Sequence, residues 1–369
     1  NGKITIMGQL YGNNNEEKMV VFYLGRADDE GKFVAFNRQE GKTKIILPSL
    51  SIDQSVETMK GPVNKIIKAG DVLKYKINYK NNEDIAIRDS VITAEIRGKV
   101  LDFSKIEIEK GFFDEKNKTI TWKSSDLPEL KSINPGGGGT LSFSVPVKSW
   151  IPVEGKMDNN YIVSSTLKID SADIPLSNNG ERIFGSNKLE LALASKVLLS
   201  TKAYFEDSNI KNYGPMPMKI GSETTFAVHW RIDSISSKIT NTKVVASLPT
   251  GVKWTGNTYP INEKITYNDR TNQLIWSVGD VEAGTGVFVE NEGVLIPAKE
   301  VVFQVAVTPQ TNQAGEAIDL VNESVLTARE SFVAQDLVVK GEKKDTLLPE
   351  DPAVGYVNGK VPMPTGNTQ

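Results

Sequence analysis

The sequence contains no cysteine and a single histidine among its 369 residues. Without thiols there are no disulfides, no thiolate zinc sites and no cysteine nucleophile, and one imidazole excludes most metal centres and nearly all serine–histidine catalysis. A chain free of cysteine fits a cytosolic protein or a bacterial surface protein that avoids thiols, and does not fit a small disulfide-stapled secreted domain. No stretch of eighteen apolar residues occurs, so no membrane span is expected in this segment. The N-terminus, NGKITIMGQL, has neither an initiating methionine nor a charged head before an apolar core. The chain therefore reads as a processed or excised piece, with any signal peptide or wall anchor outside it. An excess of one charge sign is missing as well. The 43 Lys and Arg residues are interspersed with 46 Asp and Glu, for a net charge of −3, which leaves no electrostatic footprint for nucleic acid or an anionic membrane surface.

Helical periodicity is also absent. What is present is alternation: five to eight positions of Val, Ile, Thr and aromatics interleaved with polar residues, bounded by clusters of Gly, Pro, Asn and Asp. The stretch 134-NPGGGGTLSFSVPV-147 illustrates the difference between a phosphate loop and a turn. A phosphate loop needs a following helix and usually a Lys with Ser or Thr after the last glycine. Here Leu141, Phe143, Val145 and Val147 alternate with Ser142, Ser144 and Pro146, the period of a half-buried strand.

Four such strands recur in one order. The segment 69-AGDVLKYKINYKN-81 answers 220-IGSETTFAVHWRI-232, 119-TITW-122 answers 273-QLIW-276, 141-LSFSVPV-147 answers 301-VVFQVAV-307, and 160-NYIVSST-166 answers 322-NESVLTA-328. A repeat of about 150 residues made of strands without intervening helices predicts an all-β protein of tandem immunoglobulin-like antiparallel β-sandwiches. The expected organisation is a partial β unit at 1–50 (the end of a preceding repeat or a small unit packed on the first), a first sandwich at 51–186, a second at 187–336, and an extended Pro/Gly-rich tail at 337–369. In the N-terminal unit, strands are expected around Ile4 and Ile6, at 19–24, 33–36 and 44–47. Leu189, Leu191 and Leu193 in 187-NKLELALASK-196 suggest the first strand of the second sandwich and a short, stiff joint.

These motifs resemble the conserved repeat domain, an immunoglobulin-like module found in series in bacterial and archaeal surface proteins. In the first unit the likeness lies in Gly70-Asp71 followed by 73-LKYKINYKN-81, in 119-TITW-122 and in 141-LSFSVPV-147. In the second it lies in 248-LPTGVKW-254, 265-ITYNDRTNQLIWSVGDVEAGTG-286 and 298-AKEVVFQVAVTP-309. The first unit departs from the pattern in having no LPxGV, and the second has Ile232 where Asn81 stands in the first. The resemblance covers roughly residues 51 to 330. It implies a large, repetitive, secreted or membrane-anchored protein of which this chain is a part. The expected function is a structural, non-catalytic module of a prokaryotic cell-surface protein, extracellular or surface-located and without a cofactor, whose partners are neighbouring repeats of the same protein or other surface proteins; the alternative is an adhesin-type module that recognises glycan or a partner protein through loop aromatics or a sheet edge.

Among individual residues, Trp122 and Trp276 occupy matching places in both repeats and are expected in the cores. His229 lies between inward Val228 and Trp230, so alternation sends it outward as a lone surface histidine with no metal site. The acidic stretch 28-DDEG-31 reads as a hairpin turn rather than a Ca²⁺ loop, because the spaced carboxylate pattern is missing. Trp150 in 148-KSWIPVEG-155 and Trp254 after LPTGV recur in neither repeat. They are the two candidate binding residues, for a sugar ring or a partner protein, with interdomain packing or a loop anchor as the competing reading.

Overall fold

The computed structural model describes residues 16–28, 32–45, 48–174 and 184–363, with no side chain given for Tyr356 and Val357. The expected strand around Ile4 and Ile6 and residues 29–31 of the acidic turn lie outside them, as do residues 46 and 47 and the 364–369 end of the tail. Nearly every described element is a strand. An N-terminal hairpin, β1 (Glu17–Ala27) and β2 (Phe33–Lys44), forms a two-stranded sheet of its own. Asp28 and Lys32 close its tip, the Asp28 N–H donating to the Lys32 carbonyl and the Lys32 N–H to the Asp28 carboxylate.

The first sandwich comprises β3 (Leu50–Thr58), β4 (Val72–Asn81), β5 (Val91–Arg97), β6 (Glu107–Ile108), β7 (Phe112–Asp114), β8 (Thr119–Trp122), β9 (Gly138–Pro146), β10 (Ile162–Asp170) and β11 (Gly185–Leu193). One sheet runs β3-β4-β9-β6 and the other β7-β8-β5-β10-β11. The second sandwich follows with β12 (Val197–Tyr204), β13 (Thr224–Ser234), β14 (Ile239–Ser247), β15 (Val252–Tyr259), β16 (Ile265–Asn268), β17 (Gln273–Val281), β18 (Lys299–Val307), β19 (Ser324–Glu330) and β20 (Gln335–Gly341). Its sheets run β12-β13-β18-β15 and β16-β17-β14-β19-β20. The two orders match over these nine strands, so the repeat read from four strands extends to nine; the first sandwich alone adds two-residue strands, Gly61–Pro62 beside β3 and Ile66–Ile67 parallel to β11.

Alternation places the cores. In β4, Leu73, Tyr75, Ile77 and Tyr79 are buried while Lys74, Lys76 and Lys80 are exposed. Tyr75 stacks on Phe143 at 4.5 Å, and Trp122 lies tilted over the same ring at 6.4 Å. Trp230, Phe226 and Trp276 are fully buried in a separate second core. The glycine-rich stretch is a turn followed by a strand. A side chain at Gly138 would lie 2.0 Å from the Tyr79 backbone carbonyl oxygen, so glycine is required there by close approach of the neighbouring strand.

Two expectations are corrected. The segment 187–196 does not open the second sandwich: β11 pairs with β10 from Ile162↔Ala192 to Ile169↔Gly185, and its Leu191 and Leu193 fill the first core. Alternation identified it as a strand but could not say which of two adjacent sheets it closes. Nor do residues 337–363 form an extended tail. β20 pairs along β19, Lys344–Asp345 pairs with Asp319–Val321, and Leu348, Val354 and Val361 are buried in the second core. The apolar residues scattered among the prolines and glycines of that segment fill the end of the sandwich.

The joint between the sandwiches is three residues, Ala194 to Lys196, between β11 and β12. It is bonded on both sides. The Ser195 N–H donates to the buried Glu330 carboxylate at 2.8 Å, the Ser236 N–H to the Ser195 hydroxyl at 3.0 Å, and the Asn160 N–H to the Ser236 carbonyl at 2.8 Å. Ile235 of the second sandwich packs against the first core.

Candidate functional site

The one histidine is where the structure departs most from the sequence reading. His229 does project from the face of β13 opposite Trp230, but it is not a surface residue. Only 9% of it is exposed. The whole run Thr224–Trp230 is buried, because a strap of chain after β12, residues 205–213, crosses the outer face of the β13–β18 sheet. Ile210 of this strap packs on Ala227 and Val302. The Gln304 side-chain amide donates to the Lys211 carbonyl and to Asn212, and Tyr213 exchanges backbone and hydroxyl bonds with Thr225. Asp351 fastens the start of the strap, its carboxylate accepting the N–H groups of Phe205 and Glu206 at 2.8 Å each.

His229 bridges strap and sheet. Its Nε2 meets the Asp207 carboxylate at 2.6 Å, its Nδ1 meets Glu300 at 2.8 Å, and the Tyr204 ring stands edge-on at 5.1 Å. Asp207 is positioned in turn by the N–H groups of Asn209 and Ile210, each 2.8 Å from its other oxygen. Ser200, Lys202, Glu206, Ser208 and Arg231 complete a mixed-charge pocket of about 360 Å³ around the imidazole. Each ring nitrogen takes its own carboxylate, so the three groups do not converge on one point, and no cluster of three such side chains among the described residues is arranged to hold a metal ion. Burial pushes the His229 pKa down, but the bonds to Asp207 and Glu300 outweigh it and the net shift is upward. Burial pushes Asp207 up, yet the bonds from His229 and from the Ile210 and Asn209 N–H groups bring it below the usual carboxylate range.

The arrangement is a latch with a defined pH window. The histidine's folded-state pKa is raised, so its stabilisation is complete below the ordinary value of about 6.5 and is lost as pH rises through the folded value. The aspartate's is depressed, so its contribution is complete above about 3.9 and is lost as pH falls through the folded value. The second sandwich is therefore expected to lose stability as pH rises above about 6.5 in the natural chain, and less so in His229→Gln. Urea midpoints across that range check this, and equal slopes in the two proteins would show that the latch carries no net coupling.

A signal for this site was available in the sequence. The outward positions of the first repeat are Lys74, Lys76, Lys80, Ser142 and Ser144, which water solvates. The structural counterparts of Lys74, Lys76, Ser142 and Ser144 in the second are Ala227, His229, Val302 and Gln304, a set without the two lysine charges. What covers them, and that Asp207 and Glu300 reach the ring, lies in no local pattern.

The two candidate tryptophans are in different surroundings. Trp150 is 60% exposed, with the Lys148 ammonium 5.3 Å from its ring centre. Trp254 is half-buried, opposite Val305 of β18. It packs against the second core and lies tilted against Tyr267 at 5.7 Å, its Nε1 without a partner among the described residues. The structure does not bring the two together, nor either of them to His229.

No family model and no curated protein matches the chain. Among solved structures it is similar to the C-terminal domain of the antigen I/II polypeptide BspA of Streptococcus agalactiae, at 11% identity over 79% of this chain and 98% of that one, with a TM-score of 0.33. A second similarity, again at 11% identity and TM-score 0.33, covers 80% of this chain and 99% of the C-terminal domain of the antigen I/II-family protein AspA of Streptococcus pyogenes. A third, at 12% identity and TM-score 0.25, covers 47% of this chain and 96% of AvmM, which catalyses macrocyclization in alchivemycin A biosynthesis. At these scores the likenesses carry no argument, and the architecture rests on the strand pairing. Among the described residues no helix is long and apolar enough to cross a membrane.

Proposed function

We propose that this chain is a non-catalytic structural module of a prokaryotic cell-surface protein: a spacer, a stalk segment or a component of a surface layer, working outside the cell or on its surface. The observation that carries the reading is the joint. Two sandwiches of matching strand order are linked by three residues, and the link is bonded through Ser195, Ser236 and Glu330 rather than left free. Such a joint passes one module into the next at fixed orientation, which a spacer needs and a hinge does not. The partners are then neighbouring repeats of the same protein. The motif resemblance to repeat modules of surface proteins supports the location.

The second reading is an adhesin-type binding module for glycan or a partner protein, favoured by the exposure of Trp150 beside Lys148. Small-angle scattering of the whole chain is expected to show an elongated monomer, and a compact particle with the sandwiches folded against each other would overturn the spacer. A glycan array is expected to be silent. Saturable binding that disappears in Trp150→Ala, with the unfolding midpoint unchanged, would establish the adhesin instead.

A further inference from the structure

The N-terminal hairpin is covered by nothing among the described residues that its composition would call for. β1 carries six consecutive apolar residues, 19-MVVFYL-24, and Met19, Phe22, Tyr23 and Leu24 are each more than two-fifths exposed, as are Phe33, Val34 and Phe36 at the start of β2. From Asn37 onward β2 is polar. Its residues oppose those apolar ones in register, with Tyr23↔Arg38, Val21↔Glu40 and Met19↔Lys42. The second edge of β1 pairs with no strand among the described residues. A two-stranded ribbon is marginal on its own in water, and an apolar strand with an open edge is a template for pairing with another strand.

The repeats show what belongs on that edge. In each sandwich the last two strands form a hairpin, β10–β11 and β19–β20, whose first strand pairs on its other edge with a strand of the same sandwich, β5 and β14 respectively. The β10–β11 hairpin leads directly into the first strand of the next sandwich, β12. The hairpin β1–β2 stands in the same place before β3. The two lead-ins are also built alike. The Ile235 N–H, just after β13, donates to the Lys196 carbonyl just before β12 at 3.1 Å, and the Asn82 N–H, just after β4, donates to the Ser49 carbonyl just before β3 at 2.8 Å. The side chains of Asn82 and Ser49 add bonds to Pro48 and Glu83.

We infer that β1–β2 is the closing strand pair of a third sandwich, and that the open edge and apolar residues of β1 are occupied by the remaining strands of a like repeat preceding it in tandem. An inward-facing strand equivalent to β5 and β14 pairs with β1, and the polar β2 becomes the outer edge, as β20 does in the second sandwich. The inference rests on the tandem-module reading for the kind of partner. Scattering tests that reading, whereas the following experiment tests the hairpin.

Hydrogen exchange on the full chain is expected to show the amides of 17–44 exchanging at least 100-fold faster than those of 162–170. A second chain carries a copy of residues 50–161 joined to Glu16, so that the hairpin stands where Ile162–Leu193 stands in the first sandwich. There its amides are expected to slow by at least tenfold, and Phe22→Lys with Leu24→Lys should abolish the gain while leaving the unfolding of the two downstream sandwiches unchanged. Unchanged exchange in the extended chain would overturn the inference. So would hairpin amides already as slow as 162–170 in the natural chain, or slowing that grows with protein concentration, which would make a second copy the occupant.

Discussion

Replacing Trp276 by alanine is expected to lower the stability of the second sandwich by about 3–5 kcal/mol, and Trp122→Ala to do the same to the first. Both rings are fully buried, and they stand at matching positions on β17 and β8. Neither hole can close by a local shift, since each ring is held between two close-packed sheets. Trp276 also donates its Nε1–H to Glu263 at 2.8 Å, so its loss leaves that carboxylate without a donor. Because the cores are separate, each substitution should move the denaturation of its own sandwich more than that of the other. Urea unfolding followed by hydrogen exchange, strand by strand, checks this. A midpoint that does not move would place the ring outside the core.

Ending the chain after Glu342 is expected to cost the second sandwich about 5 kcal/mol or more while leaving the first folded. The estimate follows from exposing the cavity filled by Leu348, Val354 and Val361, each worth roughly 1.5–3 kcal/mol when fully buried. It excludes the loss of Asp351, whose removal leaves the Phe205 and Glu206 N–H groups without their acceptor and frees the strap over His229. Thr346, fully buried, accepts the Ile318 N–H at its hydroxyl and donates its own N–H to the Ile318 carbonyl, which ties the segment to the sandwich, while its hydroxyl donates to the Gly359 carbonyl within the segment. An extended tail of the kind that the Pro and Gly content suggests could be removed without effect. Thermal unfolding of the truncated chain, with the first sandwich as internal control, separates the two outcomes.

The Asn that the second repeat lacks by sequence alignment shows how register eludes a one-dimensional comparison. Counting from the turn glycines sets Ile232 against Asn81. In the sheets, however, Asn81 faces Leu50 and Ser234 faces Val197, so Ser234 is its structural counterpart. The two-residue difference lies between the turn at Gly221 and Ser234, after the strap of 205–213 has ended.

The sequence by itself determined the all-β class, the tandem repeat, the inward rows of β4, β8, β9, β13, β17 and β18, and the burial of Trp122 and Trp276. A strand's period of two is written in the identities of its own residues, so each row is legible without knowing its neighbours. Tertiary structure alone decided which sandwich β11 closes, that the Pro- and Gly-rich segment is core, and that His229 lies beneath a strap between Asp207 and Glu300. These depend on contacts between residues far apart in the chain, whose formation turns on the shape left open by everything else that has packed. The outward residues of β13 and β18 carry less charge than those of β4 and β9, but which element lies across them is decided by the tertiary structure alone.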